Sequence, residues 1–171
     1  MNILRIIKER RSVRKFLNNS IPKEIQDALK EAIIWAPSAG NLQSRKFYFV
    51  FNRAIKKDLA KAALSQSFIA EAPLVIIACM DIRIKDYYGE RGVSLYAIQD
   101  VAASIQNVLL VAHEQGLASV WIGAFHEDEV HKILKLPKFL RPISIIPVGY
   151  TNVYSTAPGR ISVKDAVDII E

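Results

Sequence analysis

The 171 residues contain a single cysteine, Cys79, which excludes an intrachain disulfide framework. With no CxxC pair and no Cys/His cluster, a zinc site is excluded as well, and a reducing compartment is the expected setting. The thiol lies in the apolar run VIIACMD, where a buried structural role is expected. No GxGxxG turn follows a strand-like run, so neither a Rossmann dinucleotide site nor a P-loop is expected. MNILRIIKERR has no long apolar core and no small-residue cleavage site, which points away from secretion and towards the cytoplasm. The most apolar stretch, 94 to 115, carries Gln99, Asp100, Gln106, Asn107 and Glu114, so no membrane span is expected. No biased segment and no repeat divides the chain, and residues 1–171 read as one domain.

What the sequence does have is 51% hydrophobic content, enough for a full core, and a net charge of +6. Most basic residues alternate with acids, as in KKDLAK, and belong to solvated helix faces. Lys8, Arg10, Arg11, Arg14 and Lys15 form a denser group that calls for an anionic partner.

Periodicity predicts a short helix over 2–9 and an extended RRSVRKF with Val13 and Phe16 inward. A second helix, opened by Ser20 and Pro22, carries Ile25, Leu29, Ala32, Ile33 and Ala36 on one side and ends at Pro37. KFYFVF and APLVIIACMD read as strands, the latter covered on both faces, and Asn52 is placed to cap the helix between them. Residues 94–115 form the longest helical pattern, closed by Gly116 and partly buried against a partner subunit. ASVWIGAF and PISIIPVGY are further strands, EDEVHKILKL is a short helix, and VKDAVDII is a weak helix or tail. The alternation suggests α+β or α/β layers around a mixed sheet.

Four stretches are poorly explained as scaffold: RRSVR at 10–14, APSAGNLQ at 36–43, SVWIGAF at 119–125 and PGR at 158–160. Each alone has a plain reading, as a solvated turn, a self-satisfied loop, a bulged core strand and a surface arginine. His126 and His131 are five apart, off the spacing of a metal pair, and surface roles are expected for them and for His113.

Taken in order, the basic RRSVRKF start, APSAGNLQSRKFYFV, APLVII, LYAIQDVAASIQNVLLVAHEQGLASVWIGAF and IIPVGY resemble the nitroreductase family of flavoproteins over nearly the whole chain. The resemblance implies an α+β fold with a central mixed, mainly antiparallel sheet flanked by helices. It further implies a homodimer holding two FMN molecules in the subunit interface, with NAD(P)H as reductant and a small acceptor such as a nitroaromatic or quinone. FMN carries a phosphate at one end and an amphipathic ring at the other. Arg10, Arg11, Ser12, Arg14 and Arg160 suit the phosphate; by strand alternation Arg11 diverges from Arg10, Ser12 and Arg14. Asn41 and Gln43 suit the pyrimidine edge, since a carboxamide donates and accepts at once, with Pro37, Ser38 and Ala39 keeping the approach close. By resemblance this loop comes largely from the other subunit. The Trp121–Ile122–Gly123 backbone would lie near N5 and O4, and Gln66 near the ribityl chain or ring. The flavin carries the chemistry, so no catalytic side chain and no metal ligand is assigned. Two alternatives stand beside this: another reaction at the same flavin, such as reductive dehalogenation, enone reduction or flavin transformation, and, more remotely, a basic nucleic-acid-binding protein. No aromatic residues interleave the arginines to favour the last, so no nucleic-acid partner is expected.

Overall fold

In the computed structural model, which describes residues 2–153 and 155–171, the chain runs α1 (Ile3–Glu9), α2 (Lys23–Ile34), β1 (Arg45–Val50), α3 (Arg53–Ala62), α4 (Phe68–Glu71), β2 (Leu74–Asp81), α5 (Lys85–Arg91), α6 (Ala97–Glu114), β3 (Ala118–Ser119), α7 (Glu127–Leu134), β4 (Leu140–Gly149) and α8 (Val163–Ala166). The sheet order is β1-β2-β4-β3, and every pairing between these strands is antiparallel. A parallel element enters through the isolated bridge between Ser12 and Ser119.

β2 explains the layering. Every residue from Leu74 to Met80 is buried, and alternation splits them between two cores. Val75, Ile77 and Cys79 pack with Leu59, Ala62 and Ala63 of the α3 region, Ile69 of α4 and Val130 of α7. Leu74, Ile76, Ala78 and Met80 pack with Leu29 and Ile33 of α2 and with Val101, Ile105 and Val108 of α6. A strand buried on both faces needs uniform apolarity, which this one has. Burial pushes the Cys79 thiol up to about 12, so it stays protonated and inert.

Local signals set the ends. Asn52 accepts from the N–H groups of Ala54 and Ile55 at 2.9 and 3.1 Å and so caps α3. At the end of α6, Gly116 has φ +73°, Gly116 N–H donates to His113 O and Leu117 N–H to Ala112 O, the paired closure that favours glycine. The run Ile82–Glu114 is long and apolar enough in composition to cross a bilayer. Its α6 part, however, buries Val101, Ile105, Val108 and Ala112 in the core beneath the sheet.

Two expectations need correction. The long helix begins at Ala97 rather than at 94, because Gly92–Tyr96 forms a π turn. The strand expected over 118–125 is regular only at Ala118–Ser119 and touches β4 again at Ile122–Ile145. The pairing keeps one register, with Ala118 opposite Gly149, Ser119 opposite Val148 and Ile122 opposite Ile145, so Val120 falls opposite Pro147. Ile122 and Ile145 exchange both hydrogen bonds. Two residues along, the same pattern needs an N–H from residue 147, and proline has none.

Candidate functional site

Past α1 the chain is extended: Val13 N–H donates to Ser119 O at 3.1 Å, and Val13 and Phe16 are buried. Ser12 and Arg14 are therefore left outward and are exposed. Arg11 turns back onto α1 while still lining the same cavity as Arg10. Its guanidinium donates to Lys8 O and Arg10 O at 2.6 and 2.7 Å, satisfying carbonyls at the end of α1. Its buried Nε has no partner among the described residues. Arg160, from the tail, lies near enough to matter: burial first, then the charges of Arg11 and Arg160, push the Arg10 pKa down. Among the described residues, the ion pairs Arg5–Glu9, Lys30–Asp27, Lys61–Asp58, Arg83–Asp81, Lys85–Glu90 and Arg141–Glu127 use none of Arg10, Arg11, Arg14 or Arg160. A cavity of about 290 Å³, lined by Arg10, Arg11, Ser119, Thr151 and His113 among others, opens beside them. Glu9, which pairs with Arg5, also lines this cavity, and the gathered like charges suit a phosphate, whose oxygens offset the repulsion.

The APSAGNLQ segment is a strained loop between α2 and β1. Gly40, Asn41 and Gln43 have φ of +54°, +55° and +51°. A side chain on Gly40 would meet the Tyr88 hydroxyl, the movable end of a part-exposed ring, so the left-handed φ is the stronger reason for glycine at residue 40. Ser38 Oγ accepts from Gln43 N–H at 3.0 Å, folding Pro37, Ser38 and Ala39 back under Asn41. Two residues not identified from sequence hold the loop in place. Asp100 of α6 accepts from Ala39 N–H at 2.9 Å, and Arg45 donates to the carbonyls of Ile34, Ala36 and Pro37 at 3.3, 2.8 and 3.1 Å. The signal for Asp100 was present: it falls on the same stripe as Ala97, Val101, Ser104 and Ile105, the buried side of α6.

At the third cluster, Ile122 N–H is committed to Ile145 O at 3.0 Å, and Ile122 O accepts from Ile145 N–H and from Ser144 Oγ. The N–H groups of Trp121 and Gly123 have no acceptor among the described residues, so they, and not Ile122, are the free donors here. A Cβ on Gly123 would meet nothing within 4 Å. The protomer's own packing does not demand a glycine there; a group approaching from outside would. Gln66 is drawn to the same turn, its Nε2 donating to Ala63 O and to Ala124 O at 2.8 and 3.3 Å.

Within one protomer these pieces form two separate groups. Ser12 pairs with Ser119, three residues from Ile122, so the arginines and the 121–123 turn are about 10 Å apart along the strand at ~3.3 Å per residue. The amide loop joins the sheet at Arg45, which aligns with Met80 and through it with Arg141, whereas Ser12 aligns through Ser119 with Val148. That separation is about 23 Å along β4 and about 19 Å across four strand spacings of ~4.8 Å. The structure thus joins Arg10, Ser12, Arg14, Arg160, Gln66, Trp121 and Gly123 along one side, and Pro37, Ser38, Ala39, Asn41 and Gln43 at the far corner.

A three-layer α+β fold thus carries an open polar turn, a cluster of arginines without ion-pair partners among the described residues, and a separate amide loop. The sequence profile described as the nitroreductase family matches residues 7–81 and 60–150. The chain is 34% identical over 154 residues, 88% of its length and 78% of the relative's, to a provisional NADH dehydrogenase/NAD(P)H nitroreductase of Methanothermobacter thermautotrophicus. It is 26% identical over 174 residues, 93% of its length and 70% of the relative's, to the FMN reductase [NAD(P)H] of Bacillus subtilis. Among solved structures, a provisional NADH dehydrogenase/NAD(P)H nitroreductase of Parabacteroides distasonis superposes with a TM-score of 0.85 at 29% identity, covering 96% of both chains. The protein belongs to the nitroreductase family.

Proposed function

We propose that two copies of this chain bind two FMN molecules between them and pass hydride from NAD(P)H to a small acceptor, a nitroaromatic, a quinone or a related compound. The protein is an NAD(P)H-dependent oxidoreductase, and FMN held by these residues would supply the redox chemistry, hydride transfer from the nicotinamide and on to the acceptor in a ping-pong cycle. The observation that carries the reading is the gathering of Arg10 with Arg11 and Arg160, none of them in an ion pair among the described residues, beside a turn whose Gly123 leaves open space.

The roles of the residues follow from their chemistry. Arg10, Arg14 and Arg160 neutralise the phosphate and Ser12 adds a neutral donor, while Arg11 works from behind by fixing the end of α1. Trp121 and Gly123 present main-chain N–H groups towards the ring edge where charge develops, and Gln66 steadies the turn that presents them. Asn41 and Gln43 grip the pyrimidine edge, with Pro37, Ser38 and Ala39 shaping the approach. None of these groups except the arginines is charged, so the chain binds, orients and hydrogen-bonds rather than acting as acid or base. Because the amide loop lies at the far corner of its own sheet, a second copy supplies it. Ile3, Leu4 and Ile7 of α1, Trp35, and Ile161, Ile169 and Ile170 of the tail are exposed in one protomer, apolar area consistent with such an interface.

The visible spectrum of the purified protein, followed by anaerobic bleaching with NADH and with NADPH and recovery with a panel of nitroaromatics and quinones, tests the proposal. A flavin spectrum bleached by a nicotinamide and restored by an acceptor supports it. A colourless protein that takes up no FMN and binds oligonucleotides with a steep salt dependence overturns it.

A further inference from the structure

The loop that carries Asn41 and Gln43 is held by two opposite charges, one buried and one half-buried. Asp100 is 4% exposed; one carboxylate oxygen accepts from Ala39 N–H, and the other, Oδ2, is buried with no partner among the described residues. Arg45 directs its guanidinium at three carbonyls at the end of α2, those of Ile34, Ala36 and Pro37. One charge thus holds a donor of the loop and the other holds acceptors, and between them lie three left-handed residues, two of which are not glycine. Such backbone is sparsely populated and persists only where its surroundings over-determine it. Asparagine would accept from Ala39 N–H equally well without placing a charge in the interior. A carboxylate with a spare oxygen is therefore more than the hydrogen bond requires, and its remaining effect is electrostatic: burial pushes the Asp100 carboxyl up, and the Ala39 hydrogen bond first and the Arg45 charge second oppose it.

We infer that Asp100 and Arg45 are a positioning pair for the flavin-edge loop, setting the orientation of Asn41 and Gln43, and with it FMN affinity, through their mutual charge. Neither touches the ring in this arrangement; they act through the main chain of residues 36–45. The inference rests on the FMN site proposed above.

The test compares full-length wild type with D100N, R45M and the double variant. FMN dissociation constants come from flavin fluorescence quenching, melting temperatures from the flavin-free proteins, and loop stability from hydrogen exchange of residues 38–43. D100N is expected to keep or raise the flavin-free melting temperature while weakening FMN at least tenfold and speeding exchange of the loop. R45M is expected to weaken FMN similarly, with the double variant no weaker than the worse single variant, as coupled residues require. Unchanged FMN affinity and unchanged loop exchange in D100N would overturn the pair, as would additive losses in the double variant. If wild type itself binds no FMN, the cofactor reading fails, and exchange of the loop alone decides the pair: acceleration in D100N upholds the clamp and its absence refutes it.

Discussion

Gly123 and Gly40 are both glycines in the candidate site, yet the structure gives them opposite reasons. At Gly123 an added methyl meets nothing, so G123A should leave the melting temperature unchanged while weakening FMN, measured by fluorescence quenching. At Gly40 the φ of +54° costs an alanine about 1–2 kcal/mol, and the methyl also meets Tyr88 Oη, so G40A should lower the melting temperature of the flavin-free protein. Arg10 makes a third contrast. Since its neighbours Arg11 and Arg160 disfavour its charge, R10A should not destabilise the flavin-free protein, but should cost FMN affinity by the roughly 1.5–3 kcal/mol of a charged hydrogen bond, about 10- to 100-fold. Inorganic phosphate should correspondingly raise the melting temperature of wild type more than that of R10A. The sequence showed the alternation of Ser12 and Arg14 against the buried Val13, because a two-residue period needs no tertiary information. It did not show Arg45 and Asp100 as a pair. They are 55 positions apart, and what links them is the 36–39 backbone, where Asp100 accepts from Ala39 N–H and Arg45 donates to the Ala36 and Pro37 carbonyls.

The elements were most legible where pattern and length agreed. β2 is apolar from Leu74 to Met80 because it is central, and α2, α3 and α7 each carry a one-sided stripe, α2 opening after Pro22, α3 after the capping Asn52, and α7 closing on the left-handed Lys135. β3 was overread: SVWIGAF has the composition of a strand, but the proline that interrupts its ladder sits 27 positions later in β4, and only the register aligns Pro147 with Val120. That break frees the 121–123 turn to face outward. The α7 helix is tied to β4 by a two-pronged contact, Arg141 donating to both oxygens of Glu127 at 2.7 and 2.8 Å, and this hydrogen bond, more than its Coulomb attraction, holds the Glu127 carboxyl below its usual range. A depressed carboxylate binds fewer protons folded than unfolded, so its contribution is present at neutral pH and lost as pH falls through the folded value. E127Q should therefore flatten the acid limb of a urea-midpoint-against-pH curve. Both side chains are partly exposed, so at neutral pH it should cost under about 1 kcal/mol.

On the scale of the molecule, the two groups of site residues lie too far apart within one chain to meet on one ligand, and this makes a sharp demand on the assembly. If each FMN is held by the arginines of one copy and the amide loop of the other, damage at the two ends should complement between copies. R10A spoils the phosphate end and N41A the ring-edge end. Each variant alone forms dimers with two damaged sites. In a mixed dimer, one site receives both lesions and the other receives neither, because the intact arginines of the N41A copy face the intact loop of the R10A copy. Unfolding and refolding an equal mixture gives about half mixed dimers, so about a quarter of all sites should regain wild-type FMN affinity, seen as a tight phase in a quenching titration that neither variant shows alone. A site completed within one chain predicts the opposite, since every copy then carries its own lesion and no tight phase can return however the chains are paired. Dilution adds an independent check: a shared site couples flavin release to dimer dissociation, so the apparent FMN affinity should fall with protein concentration below the dimer's dissociation constant.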